Sequence, residues 1–200
     1  MALVLDGSAN TIGGLAVGGL PDGIVDADMI ATGAVTAAKK GAGSVLQVVQ
    51  EVKTSTWSAI VGGSTYSGAV ISKAITTASS SNKVLVTINV NIGYEGGDDM
   101  GFALYRGGSV VSAYTGDAAS NRMRVASQTA VGNIYQQEIL TGCFLDSPGS
   151  AAAHTYDVRL YYRGDNSVDK YLYLNKANND GDTYDKTRSA SSITLMEVSG

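Results

Sequence analysis

Histidine, cysteine and tryptophan each occur once in this 200-residue chain, and proline and phenylalanine twice. One histidine, His154, cannot build a multi-histidine zinc site, and any Ser-His-Asp relay would have to pass through it. It alternates in phase with Tyr156 and Val158, as a packed or interface histidine does. One cysteine, Cys143, excludes an intrachain disulfide. It lies in the apolar run 139–145, where a buried core thiol is expected. Charge is scarce too, 16% of residues against the usual share of about 25%. With a net charge of -4 and no Lys/Arg run longer than Lys39-Lys40, a nucleic-acid-binding face is not expected. No stretch approaches the roughly 20 apolar residues of a membrane span, so membrane insertion is not expected. The opening MALVLDGSAN has no basic region and too short an apolar run for a signal peptide. These scarcities leave a soluble, cytoplasmically made protein whose low charge suits surface hidden in an assembly.

Chemistry-bearing clusters are equally thin. Asp98-Asp99 follow Gly96-Gly97 in a turn, where adjacent carboxylates solvate a loop rather than flank a substrate. The oxygen-rich loop 178–182 could hold a cation near Asp180 and Asp182. It fails the EF-hand pattern, because Lys176 would take the first ligand position. Gly13-Gly14 and Gly18-Gly19 lack the Lys-Ser/Thr that a phosphate cradle needs. No catalytic residue and no cofactor are expected.

What the chain has in quantity is glycine, 25 residues. Gly13, Gly23, Gly33 and Gly43 recur every ten positions, each followed two residues later by an aliphatic: Leu15, Val25, Val35, Val45. Such a stretch cannot bury a core alone and must lie on something else. Proline at the second position of Leu20-Pro21-Asp22-Gly23 marks a turn, and Asp26–Lys40 can hold one or two helical turns capped by Asp26. Residues 1–44 are therefore expected to be an extended Gly/Ala-rich arm with a short helical segment.

From Val45 the period changes to two. Val84, Val86, Ile88, Val90 and Ile92 share one face of a strand over 83–92. Gly107-Gly108 joins 100–106 to 109–114 as a hairpin. Further strands are expected at 45–52, 69–78, 134–145, 151–163, 171–174 and 192–198, with a weak one near 123–125 inside a loop over 115–132. With no amphipathic helix of globular length, residues 45–200 are expected to form an all-β antiparallel jelly-roll sandwich. A glycan-processing enzyme on such a scaffold is disfavoured by the absence of a carboxylate pair in strand context.

Eleven tyrosines stand against two phenylalanines, and tyrosine suits recognition surfaces. Tyr161, Tyr171, Tyr173 and Trp57 are the candidate receptor or partner contacts.

Residues 25–40, with Ala31-Thr32-Gly33-Ala34-Val35-Thr36-Ala37-Ala38-Lys39 at their centre, resemble segments of bacteriophage tail fibres and related virion proteins. The closing strand over 191–199 resembles the last strand of the jelly-roll domains that end such fibres. Those domains are similar to the trimeric tumour-necrosis-factor and complement-type heads, where first and last strands run side by side. The resemblance implies a homotrimer located in the virion. Its arm would attach to other virion proteins through Leu15, Leu20, Val25, Met29, Ile30 and Val35. Its head would meet a host-surface glycan or protein as a small tail fibre. A capsid-decorating or head-fibre protein clamped by the same arm is the alternative.

Overall fold

The structure is a computed structural model that describes residues 4–6, 11–13, 30, 32, 34, 35, 39–95, 99–163, 169–184 and 186–200. It divides into two compact units, Met1–Gly41 and Ala42–Gly200. In the first, β1 (Val4–Asp6) and β2 (Thr11–Gly13) form an antiparallel ribbon with Leu5 opposite Ile12. The helical turns expected over 26–40 fall largely outside the described residues.

The second unit is an antiparallel β-sandwich. The first sheet contains β3 (Val45–Lys53), β4 (Trp57–Val61), β6 (Lys83–Tyr94), β10 (Glu138–Asp146), β12 (Lys170–Leu174) and β13 (Ser191–Val198). The second contains β5 (Tyr66–Thr76), β7 (Asp99–Arg106), β8 (Ser109–Val110), β9 (Ser127–Ala130) and β11 (Ala153–Tyr162). Several strands share one lane. Along one edge of β6, β13 pairs with residues 83–89 and β12 with residues 92–94, while β10 pairs with residues 84–92 along the other edge. In the same way β3 lies beside β13 and β4 beside β12. Each sheet is thus four lanes wide, and successive long strands alternate between sheets in the manner of a jelly roll. The first and last strands, β3 and β13, run side by side.

The period-two pattern does what its chemistry requires. Val84, Val86, Ile88, Val90 and Ile92 are buried between the sheets, opposite Tyr156, Val158, Leu160 and Tyr162 of β11 and Met100, Phe102 and Leu104 of β7. Asn175 makes the junction where β12 stops and, after an excursion, β13 takes up the same lane. It is fully buried at φ 62°, a left-handed conformation that asparagine tolerates. Its Nδ2 donates to the carbonyls of Lys53 (2.7 Å) and Ser55 (3.0 Å), and its Oδ1 accepts from Ser191 Oγ at 2.6 Å. One side chain therefore ties both split lanes together.

Three expectations shift. The strand placed near 123–125 forms instead at Ser127–Ala130, and 123–125 belongs to a loop lying on the second sheet. The strand over 109–114 stops at Val110 and passes into a 3-10 turn at Ser112–Tyr114, where Tyr114 stacks on Phe144 at 4.7 Å. The strand over 134–145 begins only at Glu138, because Asn133 turns the chain, accepting the Tyr135 amide on its side chain and the Gln136 amide on its carbonyl.

Candidate assembly interface

The outward face of the first sheet can be read row by row from its register. Val48, Met196, Leu85 and Leu145 lie side by side across four lanes. The next row is Gln50, Thr194, Thr87 and Cys143, and the next Val52, Ser192, Asn89 and Thr141. Ile139 stands opposite Asn91, and further along Tyr171 stands opposite Ile60. None of these positions carries a charge. Cations stand at its two ends: Lys83 at one rim, and at the other Lys176, whose Nζ lies 5.2 Å from the Tyr173 ring centre.

Free solvent-facing sheets normally carry charges of both signs. This face instead keeps Val48, Val52, Ile60, Ile139 and Leu145 each about half exposed (45–54%). Scattered exposed aliphatics need no explanation; a contiguous uncharged set does. The polar residues in it are amides, hydroxyls and a thiol, and two of the amides pair locally: Gln50 Nε2 donates to Thr194 Oγ1 and Asn91 Nδ2 to the Ala190 carbonyl, each at 2.7 Å. Such a surface can be covered without desolvating an ion, the most expensive element of any contact.

The expectation for Cys143 is corrected. It is exposed, on the outward side of β10, because the alternation of that strand turns Leu140 and Phe144 inward and Ile139, Cys143 and Leu145 outward.

The candidate contact residues are not brought to one surface. Tyr171 is 42% exposed on the first sheet and stacks on Tyr173 at 6.0 Å. Tyr173 is buried, its hydroxyl donating to Asn178 Oδ1 at 2.7 Å. Trp57 packs against the core. Tyr161 lies on the outward side of the second sheet but is buried, its ring 5.5 Å from that of Tyr66. Leu15, Leu20, Val25 and Met29 of the arm lie outside the described residues; Ile30 and Val35 are exposed.

The remaining polar clusters are ion pairs. Asp99 accepts Arg163 at 3.0 Å; Asp98 lies outside the described residues. Asp180, in the oxygen-rich loop, is held by Arg188 at 2.9 Å and Lys176 at 3.9 Å. The Arg188 hydrogen bond keeps its carboxyl below the usual range. Asp182 lines an open pocket with Arg188 and Lys186. Among the described residues no group of three or more His, Cys, Asp or Glu gathers as a metal site, and no helix is long and apolar enough to cross a membrane. His154 Nε2 sits 3.1 Å from the Ser150 carbonyl.

No protein-family model and no curated protein matches the chain. Among solved structures, one of infectious bursal disease virus, Gt strain, aligns over 78% of this chain and 40% of its own, at 11% identity and a TM-score of 0.38. This chain thus spans less than half of that one, and the alignment is too loose to carry a functional argument.

Proposed function

We propose that this chain is a virion structural protein whose sandwich assembles with copies of itself through the outward face of the first sheet. The observation that carries this reading is the uncharged, half-apolar surface spread over four lanes. Beside a symmetry axis each side chain meets its own copies, so like charges there repel, and elsewhere in the contact an unpaired charge is costly to desolvate; a face used for self-association is best without them. Three copies is the number implied by the resemblance of residues 25–40 and of the closing strand to phage fibre proteins. On this reading Tyr171 and Ile60 extend the contact at one end of the face.

The arm, residues 1–44, attaches the assembly to other virion proteins, with Ile30 and Val35 among its contacts, and the head of a small tail fibre meets the host surface. The reading as a capsid-decorating protein differs only in where the arm is seated. Sedimentation of the purified chain tests the assembly: a trimer at micromolar concentration is expected, and a 20.5 kDa species overturns it. Copy number per particle separates the two positions, since hundreds of copies exclude a tail fibre. Deleting residues 1–44 should leave a folded, still trimeric head that no longer joins the particle.

A further inference from the structure

Residues 111–126 form a loop that closes on itself and lies against the outward face of the second sheet. Its base is fixed by the Gly116 amide donating to the Val125 carbonyl (3.2 Å) and the Ala126 amide to Phe102 (2.8 Å). The fit is close: a Cβ on Gly101 would meet the Ser127 carbonyl at 2.7 Å and Val125 at 3.1 Å. The Tyr66 hydroxyl donates to the Arg124 carbonyl, clipping the loop to β5. Between loop and strand lies a pocket of about 250 Å³ walled by Tyr66, Val110, Arg122, Met123 and Arg124 among others.

The charge in this wall is unusual for the molecule. Arg106, Arg159, Arg163 and Arg188 each pair with a carboxylate. Arg122 and Arg124 are the two arginines that form no ion pair among the described residues, and both line this one pocket. Arg124 is held by neutral acceptors only, Nε on the Gly116 carbonyl at 2.5 Å and a terminal nitrogen on Ser112 at 3.3 Å. Among the described residues, two of its five donors are used and no carboxylate answers its charge. Arg122 is exposed beside it. The apolar part of the wall is open as well, with Val110 42% and Met123 37% exposed.

The geometry points to a binding site for a carboxylated sugar, one pyranose ring at a time. A carboxylate takes a guanidinium fork by two parallel hydrogen bonds, which fixes the orientation of the ring. The C–H face of the ring then covers Val110, Met123 and the edge of Tyr66. A bare inorganic anion would leave those side chains wet, and a neutral sugar would leave the arginines unanswered. The volume falls below the roughly 300–1,000 Å³ of sites for larger ligands, which sets the limit at one ring. This inference rests on the reading of the sandwich as an adhesive head and names the class of ligand it takes.

Saturation-transfer NMR on galacturonate, with galactose and inorganic sulfate as comparisons, tests it on the full chain. Transfer to galacturonate ring protons is expected, with galactose at least about tenfold weaker and sulfate displacing galacturonate only at about tenfold excess or more. Arg122→Gln, at an exposed position, should keep the wild-type melting temperature and lose the signal about tenfold. Met123→Ser should weaken it about threefold. Equal transfer to galactose, displacement by equimolar sulfate, or an unchanged signal in Arg122→Gln would each overturn the site. A monomer that still binds galacturonate sinks the assembly reading alone; a trimer that does not bind it sinks the sugar site alone.

Discussion

The two sheets of the sandwich share one core but present opposite outer surfaces. The middle of the second sheet carries an ion pair, Arg159 with Asp157 at 3.2 Å, and Arg159 also stacks over Tyr105 at 4.1 Å from its ring centre. Tyr66, Tyr105 and Tyr161 pack around it, Val125 of the 111–126 loop lies over Gly101, and Ala103 on the same strand is buried. The first sheet has neither charge nor loop over its central rows. In one molecule, then, one outer face is covered over its middle by its own chain, whereas on the other the chain covers only the end at Gly93, under Lys176 and Ala177, and leaves the central rows open. The inner faces look alike because both serve the same core; only the outer faces record what each sheet does.

The strongest way to break this contrast is to place a charge on the open face. Thr87→Arg, in the centre of the rows, should convert the assembly to monomers at micromolar concentration, since a charge left unpaired in a buried contact costs several kcal/mol. Ser72→Arg, exposed on the second sheet, should leave the mass unchanged. Light scattering on both variants checks the pair, and equal effects would remove the distinction between faces.

The next largest effect falls on the seam of the first sheet. Asn175→Ala strands the Lys53 and Ser55 carbonyls and the Ser191 hydroxyl, and should lower stability by about 2–4 kcal/mol in urea unfolding.

Glu197 stands at the other end of the same sheet, 1% exposed. Burial works to raise its carboxyl, but hydrogen bonds from Gln47, Asn82 and the Ala78 amide outweigh it and hold it below its ordinary 4.5. Its pKa is depressed in the fold, so its contribution is complete above the unfolded value of about 4.5. That contribution is lost as pH falls through the lower folded value. Glu197→Gln should cost about 1–2 kcal/mol at neutral pH and flatten that acid limb of the stability curve.

The smallest effect belongs to the second sheet's ion pair. Asp157→Asn should change stability by less than about 1 kcal/mol, because Arg159 stays partly solvated and keeps Tyr105. A larger loss would mean that the charged face is structural rather than ornamental to the fold.

Much of the sandwich was legible in the chain because strand side chains alternate strictly. Val84 through Ile92 announce which face is buried, and the Gly107-Gly108 turn announces its hairpin. The same rule could have placed Cys143, since Leu140 and Phe144 mark the inward phase of β10 around the intervening Gly142. Apolar content misled there, as a run of apolar residues hides its own alternation. The pocket left no signal in the sequence. Arg122 and Arg124 read as ordinary loop charges until the fold shows that the other four arginines have carboxylate partners and that these two have none among the described residues.

The chain by itself determines an all-β unit beginning near Val45, its inward residues and its shortage of charge. These are local properties: period, composition and turn chemistry act within a few residues. Tertiary structure alone decides that β3 with β4, and β12 with β13, share lanes, and that charge is missing from one face rather than everywhere. It also decides that a loop closes over the other face. Each of these depends on register between strands far apart in the chain, as when Gln47 meets Glu197 across 150 positions. Such pairings follow from the best simultaneous burial of all strands, which no single stretch encodes.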